Sequence, residues 1–452
     1  MRLMILTMAA LIGCATPETT RQAPVGLMAL PQMNTFAPRA HSAPRLSNAL
    51  IGRDFMDLAF RLENDADLLT LTRFEGPISI RIAGDPPPTL ARDLDRLVTR
   101  LRREAGIDIA IAKAGTASIM VQPVPRQQIL DVAPSAACFV RPNVSSWREY
   151  RSRRRDPTTF WPRLKERKRM AVFLPSDVSP QEMRDCLHEE VAQALGPVND
   201  LYRLGQSVFN DDNFHTVLSG YDMLILRAYY DDALVNGMSR IEVANRLPEI
   251  LARINPHGGR RAIAAPERES VAWKSAINRA TNPSTSRTGR TNAARRAVTL
   301  ARAAGHTDTR LAFSLYVLGR MTLASDPEAA LNAFLSARRI YRARPETGIQ
   351  QAHVALQIAA FQLSTGDASA ALNTAEDAIP AVRRAEHAAL LSLFLLMKSE
   401  AQKALGDAQG SATSEAEALG WARYGFGSER EIRARISEIR AISPGAPRGG
   451  NT

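Results

Sequence analysis

The stretch Ser179-Pro180-Gln181-Glu182-Met183-Arg184-Asp185-Cys186-Leu187-His188-Glu189-Glu190-Val191-Ala192-Gln193-Ala194-Leu195-Gly196-Pro197-Val198-Asn199-Asp200 decides how the first half of this chain is read. Its beginning is a helix start: Ser179 stands at the N-cap, Pro180 at the first helical position and Glu182 at the third, a capping box. Its end is Gly196-Pro197, which cannot continue a helix. Between them Met183, Leu187, Val191 and Leu195 recur at helical spacing and form one apolar face. At about 100° per residue, Cys186, Glu189, Glu190 and Gln193 share an adjoining arc of about 100°. His188 points about 100° away from Glu189, so it is expected to be an exposed or second-face histidine rather than a ligand.

His188-Glu189 invites the reading H-E-x-x-H, in which two histidines four apart hold zinc on one helical face. The residue four past His188 is Ala192, and in that register the site fails. Shifted by one residue, Glu189-Glu190-x-x-Gln193-x-x-Gly196-x-x-Asn199-Asp200 resembles the metzincin peptidase pattern H-E-x-x-H-x-x-G-x-x-H-D position for position. The resemblance puts Glu189, Gln193 and Asn199 in the three ligand places, Glu190 in that of the general base and Gly196 at the sharp turn, with Asp200 behind it. Gly237-Met238 matches the methionine turn that floors such sites. Zinc favours imidazole and thiolate, and three neutral nitrogens leave its fourth position for an activated water. Here a carboxylate and two carboxamides stand in those places. Gln and Asn are weak zinc ligands, and oxygen-only sets suit harder cations such as calcium. The expectation is therefore no resident cofactor, with a divalent zinc or calcium ion as the alternative. The adjacent carboxylates could instead share a proton or hydrogen-bond one another.

Around this helix the chain reads as mixed α/β. Apolar residues of 46–62 recur at helical spacing, residues 90–104 form an amphipathic helix, and 78–82, 107–112, 118–124 and 169–174 read as strands. Helices follow Asp222 and over 240–254, and the first half ends at Asn255-Pro256-His257-Gly258-Gly259. Residues 46–250 resemble a bacterial domain family of unknown function found in secreted proteins and lipoproteins, itself similar to metzincin-type peptidases. The residues carrying the likeness are Cys186, Glu189-Glu190, Gln193, Leu195-Gly196, Asn199-Asp200, Ser207-Val208-Phe209-Asn210-Asp211, Asp222 and Gly237-Met238. The resemblance implies that the E-E-x-x-Q form is a family trait and that Cys186 pairs with Cys138. It carries no established activity.

The second half is alanine-rich and repetitive. Ser325-Asp326-Pro327-Glu328-Ala329-Ala330-Leu331 recurs as Thr365-Gly366-Asp367-Ala368-Ser369-Ala370-Ala371-Leu372, and more weakly at Leu405-Gly406-Asp407-Ala408. Each unit has a helix on either side of that turn, with small residues (Gly319, Ala330, Ala360, Ala371) where helices must approach closely. This resembles tetratricopeptide repeats, about four units over 265–425 with Ser428–Ile442 as a polar cap. The alternative is an ordinary alanine-rich bundle. Stacked repeats present a concave groove suited to a peptide or a partner protein.

The chain opens with Arg2 and an apolar run that closes on Leu11-Ile12-Gly13-Cys14. That run is too short to span a bilayer, and the small residue and cysteine resemble a lipoprotein signal peptide cut before Cys14. The rest of 15–45 is rich in Pro, Ala, Thr and Ser and is expected to be a disordered tether. Lipidation of Cys14 leaves two cysteines. An even pair in an oxidising compartment suggests a disulfide, with two buried free thiols as the alternative. The net charge of +12 favours anionic surfaces. Export makes nucleic acid the wrong partner for it. Residues 147–169 gather ten of the positive residues among aromatics. Either this stretch contacts anionic lipid near the anchor, each basic residue adding about 1 kcal/mol, or it is a charged, exposed insertion between two strands.

The reading as a whole is a signal peptide over 1–14, a tether over 15–45, an α+β metzincin-like domain over 46–256, and an all-α tetratricopeptide-like solenoid over 260–445. Its expected place is the periplasmic face of the cell envelope, bound to a bilayer through Cys14, with either membrane open. Two functions follow. One is a non-catalytic scaffold with a pseudo-metallopeptidase domain. The other is an active metal-dependent hydrolase with Glu190 as general base.

Overall fold

The computed structural model describes residues 30–39, 44–84, 86–260, 262–265 and 267–442. Cys14 and its apolar run lie outside them, as does most of the expected tether. The described chain forms two compact units, one of residues 37–271 and one that joins residues 30–36 to everything from Ala272 onward.

The first unit is α/β. Its helices are α1 (Asn48–Ala59), α2 (Pro88–Glu104), α3 (Arg126–Leu130), α4 (Trp147–Arg153), α5 (Pro180–Leu195), α6 (Gly220–Tyr229) and α7 (Arg240–Ile254). Its strands are β1 (Ile78–Ile82), β2 (Ile109–Ile111), β3 (Ile119–Val124), β4 (Phe139–Pro142) and β5 (Met170–Pro175). They form one sheet in the order β2-β1-β3-β5-β4, parallel except for the edge pair β4–β5. Strand β5 is buried at every position, which its continuous apolar sequence requires of a strand covered on both faces. Met170, Val172 and Leu174 enter the main core with Leu187 and Val191 of α5 and Leu94 and Leu97 of α2. Ala171 and Phe173 enter a smaller core on the opposite face, with Trp147 and Tyr150 of α4. Helix α5 thus lies against the sheet beside α2.

That smaller core revises the reading of 147–169. The stretch is not one exposed insertion, because α4 docks by its aromatic residues: Trp147 meets Phe173 edge-on with ring centroids 5.1 Å apart. Glu149 receives both Arg153 at 3.1 Å and Arg169 at 2.9 Å. Arg167 is buried in the main body of the unit. Arg148, Arg151, Arg154, Arg155, Arg163 and Lys165 remain exposed.

The second unit is all-helical: α8 (Val271–Thr281), α9 (Arg287–Ala303), α10 (Thr309–Thr322), α11 (Pro327–Arg342), α12 (Gly348–Ser364), α13 (Ala368–Arg384), α14 (Ala388–Ala404), α15 (Ala408–Gly425) and α16 (Glu429–Arg440). From α9 to α16 each helix packs on the next, and α14 also touches α12. The recurring Asp of the sequence is the N-cap of every second helix. Asp326, Asp367 and Asp407 accept the backbone N–H of Ala329, Ala370 and Gly410 at 3.0, 3.0 and 2.8 Å. Ser286 does the same for α9, accepting from Gly289. Gly319 is where α11 comes closest, since a Cβ there would lie 2.6 Å from the Phe334 ring. Ala330 and Ala371 are fully buried; at the third small-residue site the buried alanine is Ala359 rather than Ala360.

The expected tether departs from disorder over residues 31–36, which carry no regular secondary structure but are held by contacts on α15. Pro31 and Asn34 spend backbone polar groups on the helix, and Phe36 stacks on Trp421.

Candidate functional site

Helix α5 carries the motif, and its two ends explain where the motif points. Ser179 Oγ accepts the N–H of Glu182 at 3.1 Å. The reciprocal half of the expected capping box is missing because the Glu182 carboxylate is taken by Arg126 Nη1 at 3.0 Å. Near the middle, Cys186 is bonded to Cys138, the residue just before β4, tying the helix to the antiparallel edge of the sheet.

At the C-terminal end four consecutive carbonyls lack helical partners. Arg167 Nη1 donates to the carbonyls of Gln193 (2.5 Å) and Ala194 (2.9 Å), and Nη2 to that of Gly196 (2.6 Å). The Tyr230 hydroxyl donates to the Leu195 carbonyl at 2.9 Å. A buried cation at the negative end of the helix dipole is favourable, and three carbonyl acceptors compensate its desolvation. Gly196 leaves room for a close neighbour here: a Cβ would sit 3.0 Å from the Tyr229 ring, which would have to give slightly.

Glu190 is 4 % exposed and Gln193 is buried, while Glu189 is half-buried. His188 lies on a second face, as the helical wheel requires, but it is 5 % exposed rather than open to solvent. Its Nδ1 accepts the Leu218 N–H at 3.1 Å, which joins α5 to the loop before α6.

Past the turn, Asn199 is committed to the backbone. Its Nδ2 donates to the Asp57 carbonyl at 3.0 Å, and its Oδ1 accepts the Asp200 N–H at 3.0 Å. The Asp57 carboxylate in turn receives Arg203 at 2.9 Å and Arg240 at 3.2 Å. One lone pair of the Asn199 oxygen is thereby taken by backbone.

Asp200 brings in a residue the motif did not contain. It shares a hydrogen bond with Glu63, from the connection after α1. Two carboxyl groups can bond this way only by holding a proton between them. Burial, then the charges of Glu63, Asp211 and Glu189, hold Asp200 well above the usual carboxylate range. Glu63 reaches solvent by area yet stands among the same acids, and burial together with Asp211 and Glu189 pushes it up to about 7. Glu63, Glu189, Asp200 and Asp211 are thus one electrostatic group. The acidic stretch Glu63-Asn64-Asp65-Ala66-Asp67 was the available signal for Glu63, but nothing in its spacing linked it to α5.

Met238 sits where a tight turn needs Gly237 at φ +85°. The turn pairs with Leu71 through Gly237 N–H (3.0 Å to the Leu71 carbonyl) and the Met238 carbonyl (2.8 Å from the Leu71 N–H). The Met238 side chain is buried in the core that holds Leu187 and Val191. Ser207 and Asp222 form a buried pair at 2.5 Å. Burial raises the Asp222 carboxyl above its ordinary value, against the donors Ser207, Ser219 and Val208.

Residues 48–249, the α/β unit almost in full, match one family model. Its description is "Protein of unknown function (DUF2927)". No curated protein matches the chain. The matched domain includes α5, Asp200, Asp211 and Met238, but stops short of the helical unit.

As a zinc site the residues do not fit. The three ligand places supply one carboxylate and two carboxamides, and Asn199 is turned to backbone on both of its polar atoms. Among the described residues no three His, Cys, Asp or Glu side chains are gathered with metal-ligand geometry.

Proposed function

We propose that this chain is an envelope lipoprotein anchored through Cys14, in which a degenerate metzincin-like domain and a tetratricopeptide-like helical unit act together as a non-catalytic scaffold for a protein partner. The observation that carries the non-catalytic reading is the state of Asn199. Backbone contacts on both sides, to the Asp57 carbonyl and the Asp200 N–H, fix this neutral carboxamide, itself a weak zinc ligand, where a metzincin-like site needs an imidazole. The motif residues then serve the fold: Gly196 admits Tyr229, Glu189 helps raise the proton affinity of Glu63 and Asp200, and the buried Gly237–Met238 turn closes on Leu71. The adaptor reading is supported by the second unit, whose helices pack on neighbours in chain order with caps repeating at Ser286, Asp326, Asp367 and Asp407. Such arrays offer extended surfaces to peptides.

Metal analysis of the purified chain, with a general peptidase assay on wild type and Glu190→Ala, tests the reading. It expects substoichiometric metal and equal, background-level hydrolysis in both proteins. Stoichiometric zinc or calcium with hydrolysis lost in Glu190→Ala would establish the hydrolase instead. For the anchor, incorporation of labelled fatty acid into wild type and its absence from Cys14→Ser is the expected pair of results.

A further inference from the structure

Residues 31–36, Pro31-Gln32-Met33-Asn34-Thr35-Phe36, lie on α15 through contacts of four different kinds. The Arg423 guanidinium donates to the Pro31 carbonyl at 2.8 Å. The Asn34 N–H donates to the carbonyl of Gly420 at 2.9 Å, and its side-chain amide reaches the Glu417 carbonyl at 3.5 Å. Phe36 stacks on Trp421 with ring centroids 4.3 Å apart and planes 29° from parallel. Gly420 is what lets the segment approach, since a Cβ there would lie 2.5 Å from the Asn34 amide nitrogen.

The receiving face is preset by the helix behind it. Arg383 of α13 is bonded to the Glu417 carboxylate, and Glu417 accepts the Trp421 indole N–H at 3.3 Å. The ring that Phe36 covers is thereby oriented from within the helical unit. Mid-helix carbonyls normally have a second lone pair facing solvent, and an extended backbone beside a glycine can reach it. Aromatic stacking adds a specific anchor at one end.

We propose that the Glu417–Gly420–Trp421–Arg423 face of α15 is a docking site for an extended segment of the form Pro-x-x-Asn-x-aromatic, and that residues 31–36 of the same chain are its built-in occupant. The segment is an intramolecular strap. It fastens residues 31–36 to the helical unit and covers this face against other extended peptides. The inference stands on these contacts and is independent of whether Cys14 is lipidated or the α/β domain catalytic.

Hydrogen exchange on the full chain carrying Cys14→Ser tests it, with a synthetic peptide of residues 29–39 as probe. The Asn34 amide of this protein should exchange at least about tenfold more slowly than in the free peptide. In the double variant Asn34→Ala/Phe36→Ala, which alters the strap and leaves α15 intact, that protection should vanish. This variant should then bind the added wild-type peptide with a change in Trp421 emission, while the chain with its own strap binds less. Free-peptide exchange at Asn34 in the parent protein would overturn the strap. Failure of the strap-variant chain to take up the peptide would overturn the docking site.

Discussion

At the scale of single residues, the most consequential side chain is one whose neighbours in sequence are mostly solvent-exposed bases. Arg167 belongs to a run of charge, yet it is 2 % exposed and serves the end of α5. No carboxylate is needed, because carbonyls at a helix C-terminus already carry the opposing partial charge. Replacing it with Met should destabilise the α/β unit by about 3 kcal/mol, since three buried carbonyls lose a charged donor at once. Arg167→Lys should recover little of this, as an ammonium lacks the fork that reaches three acceptors. Urea midpoints of the two variants against wild type measure both. Glu63 gives a prediction in pH. Its folded value of about 7 lies above its ordinary value of 4.5, so the folded state holds the proton more tightly than the unfolded chain. The stability contributed is then fully present below about 4.5 and is lost as pH rises to about 7. Glu63→Gln should flatten the fall of the denaturation midpoint over that window; an unchanged slope would show that Glu63 is not the titrating group.

At the scale of elements, the caps of the helical unit are the clearest case of sequence dictating structure. Asp367→Ala removes the acceptor for the Ala370 N–H and should cost about 1 kcal/mol, with Asp326→Ala similar. Asp367→Asn should be nearly neutral, and thermal melts of the three variants distinguish these outcomes. Such caps were legible because a local hydrogen bond depends on residues three apart, and the turn repeats. The same locality made α5, α7 and strands β1, β3 and β5 readable from their periodicity. Strand β4 was not, because four residues ending in proline form a strand only where β5 supplies the partner. Helix α4 was hidden by its arginines, although Trp147 and Tyr150 already stood three apart. At the site, the spacing of Glu189, Gln193, Gly196 and Asn199 identified the helix and its turn. It could not show that Asn199 faces Asp57, or that Glu63 meets Asp200, since both depend on where the end of α1 is packed.

At the scale of the whole molecule, the chain has two units with separate means of holding together. The α/β unit has a layered core around β5 and a covalent link between the residue before β4 and α5. The helical unit relies on neighbour-to-neighbour packing along the array, where each interface is local in sequence. The Cys138–Cys186 bond closes a loop whose ends are 48 residues apart, and in the chain-entropy model it contributes about 4 kcal/mol. Both cysteines belong to the α/β unit, so the loss on reduction should fall there alone. Calorimetry of the oxidised chain should resolve two transitions. Reduction, or Cys138→Ala/Cys186→Ala, should lower one of them by several degrees and leave the other in place, whereas Asp367→Ala should move only the other. A single transition shifted alike by both kinds of change would mean that the two units unfold as one, and that the helical array draws stability from the sheet it follows.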